Sequence, residues 1–187
     1  MKYFFVTIFI TLFSSAANLN ALPAQIIIIR HAEKPEQGNE LSTKGRERAA
    51  AMAPYFSETD YLTTNGTPAA IYAMAAPKGD SSLRPIQTVT PLATLLKMEI
   101  KNSFERDNYR KMVEEIKSSP MYHGKTVLIC WGHKLIPEIA RAFGALQTPG
   151  HWPPSVYDRT WSITFSTSGR TTFLNHAQRL MYGDSIN

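Results

Sequence analysis

The sequence predicts a layered α/β fold built on a mainly parallel sheet, and three observations support this prediction. Two short runs, Gln25 to Arg30 and Thr126 to Trp131, are almost continuously apolar, which is typical of strands covered on both faces. Segments with helical spacing of apolar residues alternate with strand-like segments along the chain. The chain has 187 residues, 43% hydrophobic and 19% charged, which is enough for one domain with its own core.

The first half of the chain contains two predicted strands and one predicted helix. The first strand is Gln25 to Arg30, whose isoleucines are β-branched. Leu41 to Phe56 is predicted as a helix because Ser42 can cap its start and alanines fill its centre. Ala69 to Met74 is the second predicted strand.

The second half continues the alternation and ends in a hairpin. After a polar loop, a helix is predicted from Arg84 to Leu96, where Pro85 fits the first turn and Pro91 predicts a kink. The remaining predicted elements are a helix over Asp107 to Lys117, a strand over Thr126 to Trp131, a helix over Ile136 to Phe143, and strands over Trp161 to Phe165 and Thr171 to Leu174. No internal repeat or linker divides the sequence, so residues 22–187 are predicted to be one domain.

Residues 1–21 are predicted to be a secretory signal peptide. Lys2 precedes eleven uncharged residues, and small polar residues follow, with cleavage expected after Ala17 or Ala21. Eleven residues rise only about 16 Å as a helix, which is too short for the roughly 30 Å hydrocarbon layer. The alternative is an uncleaved membrane anchor. We therefore expect a secreted or periplasmic protein with no stable membrane anchor after cleavage.

Cysteine content and charge exclude several classes of protein. Cys130 is the single cysteine, so an internal disulfide, a CxxC redox pair and a cysteine-based zinc site are excluded, and burial in the core is expected. The formal net charge is +5, and the basic residues are scattered without a long run. Nucleic-acid binding is therefore not predicted, whereas a preference for small anionic ligands is.

Two histidines follow the two clearest strands and suggest a site. Arg30 and His31 end the first strand, and His133 follows the strand that ends at Trp131. If these strands are neighbours in a parallel sheet, the two histidines meet at one edge, where Arg84 can join them from the start of its helix. Guanidinium groups and helix N-termini favour a tetrahedral oxyanion, and a histidine held neutral by nearby positive charges can attack phosphorus.

Other interpretations of these residues are less consistent with the sequence. A histidine after a strand is often only a hydrogen-bonded loop residue, but His31 and His133 together with Arg30 and Arg84 favour a site. A metal site is not predicted because Arg30 would repel a cation and no HExxH pattern is present.

Four segments resemble the histidine phosphatase (phosphoglycerate mutase-like) superfamily, in the family's order. They are Ile29 to Pro35, Leu41 to Ala49, Arg84 to Leu92 and Val127 to His133. The resemblance implies a three-layer α/β/α sandwich and a reaction that needs no metal or other cofactor. It also implies that His31 is the nucleophile that becomes phosphorylated, while Arg30, Arg84 and His133 bind the phosphoryl oxygens.

Two features depart from the family pattern. Ala32 stands where better-known members carry glycine, and the segment that usually supplies the general acid is not recognisable. The candidate acids are the carboxylates Glu105, Asp107, Glu33 and Asp158. Some family members manage without a dedicated acid when the leaving group is already good, such as another phosphohistidine.

The predicted function is hydrolysis of phosphomonoesters by a small, metal-independent histidine phosphatase acting on a small phosphorylated substrate. The chain has little length for insertions that would cover the site, which favours a phosphatase over a phosphomutase. A non-catalytic phosphate-binding protein of the same fold is the other alternative. The loop from Pro77 to Ser82 and the segment from Thr148 to Arg159 are expected to set substrate size, with Trp152 and Tyr157 able to line the pocket or to pack beneath the loop.

Overall fold

The computed structural model describes residues 22–79, 81–166 and 169–185, so the predicted signal peptide lies outside the described residues. The strands are β1 (Gln25–Arg30), β2 (Ala70–Ala73), β3 (Ile100–Lys101), β4 (Thr126–Trp131), β5 (Arg159–Phe165) and β6 (Thr171–Ala177). The α-helices are α1 (Thr43–Glu58), α2 (Asp60–Thr63), α3 (Arg84–Leu96), α4 (Tyr109–Ser118) and α5 (Ile136–Ala142). Short 3-10 turns cover Arg106–Asn108, Pro120–Tyr122 and His133–Leu135.

The strands form one mixed sheet in the order β3-β2-β4-β1-β5-β6. The four strands β3, β2, β4 and β1 are parallel, while β5 and β6 form an antiparallel hairpin beside β1. The predicted α/β class with a mainly parallel sheet is confirmed. β3 was not predicted because a strand of two residues is too short to show a periodic pattern.

Helices cover both faces of the sheet, which gives the expected three layers. Ile26 and Ile28 of β1 join the cluster packed with α4 and α5, whereas Ile27 and Ile29 join the cluster packed with α1 and α3. Successive side chains of β1 therefore enter opposite apolar layers, which explains why its four central residues are all isoleucine. Cys130 is buried in the α1 and α3 layer, and burial raises the pKa of its thiol, consistent with the predicted core role.

The helices begin close to their predicted positions and differ at their ends. The Ser42 hydroxyl accepts a hydrogen bond from the Gly45 amide at 3.0 Å and so caps α1, as predicted. α1 includes Pro54 and extends to Glu58, two residues beyond the prediction. The helices predicted from 107 and 136 are each preceded by a 3-10 turn, so α4 starts at Tyr109. Among the described residues no helix has both the length and the apolar character needed to cross a membrane.

Candidate active site

The parallel pairing of β1 with β4 brings the two predicted histidines to one edge of the sheet. Arg30 lies opposite Trp131 in the register, and the His31 amide donates to the Trp131 carbonyl at 3.3 Å. His133 lies two residues after Trp131, in the turn that leads to α5. The two strands are therefore neighbours, which is the condition for the two histidines to meet. Both strands end at the same edge of the sheet, where ligands bind in folds of this kind.

Arg30 is held by one side of its guanidinium and leaves the other side for a ligand. The side chain is 2% exposed, and its Nη1 donates at 2.8 Å to the carbonyls of both Pro154 and Val156. Nη2 lies 3.4 Å from His133 Nδ1, and the buried Nε has no hydrogen-bond partner among the described residues. A buried donor without a partner destabilises the protein, and a bound anion would remove that cost. The edge formed by Nε and Nη2 is suited to donate two parallel hydrogen bonds to two oxygens of an oxyanion.

His31 has the tautomer and the charge of a nucleophile. Its Nδ1 lies 2.7 Å from the carbonyl oxygen of Ala32, which can only accept, so Nδ1 carries the proton and Nε2 keeps its lone pair. The side chain is 7% exposed, and burial is the main reason that its pKa falls to about 4. The charges of Arg30, Arg84 and His133 lower that pKa further. His31 is therefore neutral at neutral pH, with Nε2 available for attack.

His133 has the opposite tautomer. Arg30 Nη2 can only donate, so His133 Nδ1 accepts and its proton lies on Nε2. The side chain is half-buried, and its pKa also falls to about 4, first because of burial and then because of Arg30, Lys134, Lys34 and Arg106. A neutral His133 can thus donate a hydrogen bond from its Nε2–H. His31, by contrast, presents a lone pair on its own Nε2.

Arg84 lies at the start of α3, on the His31 side of the site. Its Nε donates to the Glu40 carbonyl at 2.9 Å, and Nη2 donates to the Gly38 carbonyl. Its charge acts on His31, and it lines a cavity of about 360 Å³ together with Gly38, Asn39, Gly79 and Ser82. A guanidinium has five N–H groups, so donors remain for an anion after these bonds are made.

The main chain after His31 is fixed from two directions. The Ala32 amide donates at 2.9 Å to the Thr88 hydroxyl, which in turn donates at 2.7 Å to the Arg84 carbonyl. Gly45 of α1 lies against the main chain of Glu33, where a Cβ atom would come within 2.3 Å of the carbonyl oxygen. Thr88 lies in the Arg84 to Leu92 segment and Gly45 in the Leu41 to Ala49 segment, so both of these segments hold the loop that carries His31.

A buried ion-pair network fixes the same loop to the C-terminal segment. Arg48 of α1 is 2% exposed and donates to Glu33 at 2.8 Å and to Asp184 at 2.7 Å. Burial alone would lower the pKa of Arg48, but the hydrogen bonds and charges of both carboxylates raise it above its usual value. Burial opposes ionisation of Asp184, yet the Arg48 contacts lower the pKa of that carboxyl. No pattern in the sequence points to Asp184, which lies 136 positions from Arg48.

The four candidate acids differ in position, and none is hydrogen-bonded to His31, Arg30 or His133 among the described residues. Glu33 is bound to Arg48, and Asp158 accepts from the Ser185 amide, so both carboxylates have structural partners. Glu105 and Asp107 are exposed, although their turn lies beside the end of β4, where Trp131 Nε1 donates to the Arg106 carbonyl at 3.2 Å. No candidate therefore has the hydrogen bonding expected of a general acid already engaged with the site.

The segment before β5 supplies both an aromatic wall and a packing residue. The Tyr157 ring lies 3.8 Å from Arg30 Cζ and 6.2 Å from the His31 ring, so it lines the site. Trp152 is buried, donates from Nε1 to the Val156 carbonyl at 2.9 Å and packs against Trp161. Of the two predicted roles, Tyr157 therefore lines the pocket, whereas Trp152 packs beneath the segment from Thr148 to Arg159.

Comparisons of the sequence and of the structure with known proteins give different results. No protein-family model matches the sequence, and none of the curated proteins matches it. The fold, however, is similar to the structure of the protein histidine phosphatase SixA complexed with tungstate, at a TM-score of 0.56 and 17% identity. That similarity covers 82% of this chain and 97% of the SixA chain.

A second SixA protein, from Agrobacterium tumefaciens and assigned as a phosphohistidine phosphatase, gives a TM-score of 0.53 at 14% identity. The match covers 82% of this chain and 99% of that protein. The described chain therefore has the phosphoglycerate mutase-like α/β fold of the SixA proteins.

Proposed function

We propose that the protein is a phosphatase that hydrolyses phosphomonoesters through a phosphohistidine intermediate on His31. The observation that carries this proposal is the pair of neutral histidines with opposite tautomers at the edge of the sheet where the buried Nε of Arg30 has no hydrogen-bond partner among the described residues. One imidazole offers a lone pair and the other offers an N–H, while the Arg30 guanidinium offers positive charge. A phosphoryl group needs all three.

The proposed reaction has two steps. In the first, His31 Nε2 forms a bond to phosphorus while the bond to the leaving oxygen breaks, and the leaving oxygen takes up a proton from water. Arg30, Arg84 and the Nε2–H of His133 stabilise the charge on the phosphoryl oxygens. In the second, a water oxygen attacks phosphorus, the bond to His31 breaks, and phosphate and neutral His31 are regenerated. Neither step requires a metal ion.

The leaving group is expected to be a good one. Among the described residues, Glu33 and Asp158 are engaged elsewhere, so neither is free to protonate a departing oxygen. The SixA proteins of similar fold are described as histidine phosphatases, and the nitrogen of a phosphohistidine leaves readily once protonated. Hydrolysis of protein phosphohistidine is therefore a second candidate function. The observation that favours it is that the carboxylates of Glu33 and Asp158 are already bound to structural partners.

A series of aryl phosphates with different leaving groups tests the proposal. Hydrolysis is expected to be unaffected by EDTA and inhibited by vanadate, which mimics the pentavalent transition state. Its rate should rise steeply as the leaving group becomes more acidic if no carboxylate protonates the departing oxygen, and a shallow dependence would assign that role to the exposed Glu105 or Asp107. Strong phosphate binding without any turnover would instead support a non-catalytic phosphate-binding protein. Transfer from a bisphosphate primer that outpaces release of phosphate would support a phosphomutase.

We further propose that residues 1–21 direct export and are removed. The supporting features are the positive start, the short uncharged run and the small residues at Ala17 and Ala21. N-terminal sequencing of the protein recovered from the periplasm or medium tests this proposal. Retention of Met1 on a membrane-bound product would contradict it.

A further inference from the structure

The sheet ends in two edge strands, β3 and β6, which differ in length and in charge. β3 has two residues, one of which is Lys101, whereas β6 (Thr171–Ala177) has seven residues and contains no Lys, Arg, Asp, Glu or Pro. All seven residues of β6 stay in register with β5, so no bulge interrupts the strand. Short length, lysine, proline and bulges are the usual features that keep an edge strand from pairing with another chain. β3 is protected in this way, and β6 is not.

Hydrogen bonds at the two ends of the β5–β6 hairpin show which main-chain groups of β6 point away from β5. The Ser166 amide donates to the Arg170 carbonyl at 2.9 Å, and the Gln178 amide donates to the Asp158 carbonyl at 2.8 Å. In an antiparallel pair, residues bonded to the neighbouring strand alternate with residues whose N–H and C=O point away from it. Positions 170 and 178 bond towards β5, so the even positions between them do so as well. The residues at the odd positions, which direct their main-chain groups to the free edge, are Thr171, Phe173, Asn175 and Ala177.

These outward groups have no partner in the part of the chain that the structure describes. Four residues with one N–H and one C=O each give eight groups, and no described residue donates to them or accepts from them. Leu174 lies at the centre of the four residues, and its side chain is 51% exposed. A row of unpaired main-chain groups beside an exposed leucine is a template for pairing with another strand.

A second copy of β6, running antiparallel, fits this edge. The register that uses every outward group places Leu174 opposite itself. Thr171 then lies opposite Ala177 of the other copy, and Phe173 likewise lies opposite Asn175. Each of these pairs exchanges two hydrogen bonds, so all eight outward groups of each strand are satisfied. The two Leu174 side chains meet in a non-hydrogen-bonded pair, where the Cα atoms are only about 4.5 Å apart. No like charges face each other within the seven paired residues.

We propose that β6 pairs antiparallel with β6 of a second copy of this chain, with Leu174 on the two-fold axis. The two six-stranded sheets then join into one continuous sheet. β5 lies between β6 and β1, so the joined edge is roughly 10 Å from the strand that leads to His31. β6 contributes none of the residues placed at the phosphoryl site, so dimerisation does not depend on the reaction at His31.

Sedimentation velocity over a range of protein concentrations tests for the dimer. We expect the wild-type protein to show a monomer–dimer equilibrium with a dissociation constant of roughly 1–100 μM. Leu174→Lys places two like charges opposite each other and should raise this constant at least about tenfold. The control is Leu95→Lys on α3, because Leu95 is 52% exposed and so matches Leu174 in type and exposure. This control should leave the constant unchanged, and circular dichroism verifies that both variants fold.

Introduced cysteines test the register. Under mild oxidation with oxidised glutathione, Leu174→Cys should form a disulfide between two copies, because the facing Cα atoms lie within disulfide range. Thr172→Cys is the control on the same face of β6. Position 172 faces position 176 of the other copy, so the two copies of position 172 are roughly 13 Å apart, which is too far for a disulfide. Cys130 is buried and does not compete, and non-reducing electrophoresis measures the cross-linked product.

Three results would overturn the proposed dimer. One is a wild-type protein that stays monomeric at every concentration tested. Another is a dimer that Leu174→Lys weakens no more than Leu95→Lys does, because the interface would then lie elsewhere. The third is disulfide formation as fast at position 172 as at position 174, which would show that the two strands do not pair about Leu174.

Discussion

The two halves of the candidate site are built in different ways. On the β1 side, His31 is 7% exposed, and the loop that follows it is held by Thr88, Gly45 and the ion pair of Glu33 with Arg48. On the β4 side, His133 is half-buried in a short 3-10 turn, and the exposed Lys134 directly follows it. One half is fixed by the core, and the other faces solvent.

This difference follows the needs of the proposed reaction. A nucleophile must be dehydrated, neutral and held in one orientation, which burial and a buried network provide. A group that only donates to the phosphoryl oxygens can lie nearer to solvent, where substrate enters. The comparison therefore predicts that changes on the β1 side affect both folding and chemistry, whereas changes on the β4 side affect mainly binding and rate.

The largest expected difference between the halves is in activity. His31→Ala removes the nucleophile and should lower kcat by at least about 10⁴-fold, whereas His133→Ala removes one donor to the phosphoryl group and should cost roughly 10²- to 10³-fold. Steady-state hydrolysis of an activated aryl phosphate measures both. Equal losses of kcat in the two variants would contradict the assignment of His31 as the nucleophile and His133 as a hydrogen-bond donor.

The ion-pair network of the β1 side should dominate stability. Arg48→Met leaves the carboxylates of Glu33 and Asp184 without their buried partner, so the free energy of unfolding should fall by about 3–5 kcal/mol. Urea denaturation at pH 7 measures the change. The matched variant on the β4 side is Lys134→Met, which removes an exposed charge and should change stability by less than about 0.5 kcal/mol. A small effect of Arg48→Met would show that the network does not hold the loop.

A single added methyl group should also disturb the β1 side. Gly45→Ala places Cβ 2.3 Å from the Glu33 carbonyl oxygen, so the loop or α1 must move, at a cost of about 1–3 kcal/mol that exceeds the gain in helix propensity. Gly150→Ala is the control, because a Cβ there meets no atom within 4 Å. Thermal unfolding and aryl phosphate hydrolysis of both variants test the contact. Similar behaviour of the two variants would contradict it.

The smallest expected effect is the pH dependence that His31 contributes to stability. Its pKa of about 4 in the folded protein lies below the ordinary value of 6.5, so the unfolded chain takes up the proton first on acidification. Stability should therefore fall as the pH drops from about 6.5 towards 4, by on the order of 1–2 kcal/mol between pH 7 and pH 5. His31→Asn should reduce this loss in urea denaturation. An unchanged loss in that variant would mean that His31 does not contribute to it and would leave His133, whose pKa is also about 4, as the group that does.

The sequence predicted the residues on the strands better than the contacts that support them. Arg30, His31 and His133 could be placed at the ends of two buried strands because continuous apolar runs identify such strands, and the structure shows that these strands, β1 and β4, pair. The carbonyls of Pro154 and Val156 that hold Arg30 could not be predicted, because main-chain contacts over more than 120 positions leave no pattern in side-chain type.

The same limit applies to the candidate acids. Glu33, Glu105, Asp107 and Asp158 were proposed from their place in the chain, yet what separates them is their partners. Arg48 binds Glu33 from 15 positions away, and the Ser185 amide binds Asp158 from 27 positions away. A carboxylate's neighbours decide whether it can act as an acid, and only the tertiary structure supplies them.

The measurement that tests the central claim most directly is capture of the phosphorylated protein during turnover. The wild-type protein is mixed rapidly with an activated phosphate donor, quenched in base, and digested for mass spectrometry. The account predicts one phosphoryl group, labile to acid and stable to base, on the peptide that contains His31, and none on the same peptide of His31→Ala. A phosphoryl group on another residue, or rapid turnover with no phosphorylated protein at any time, would contradict it.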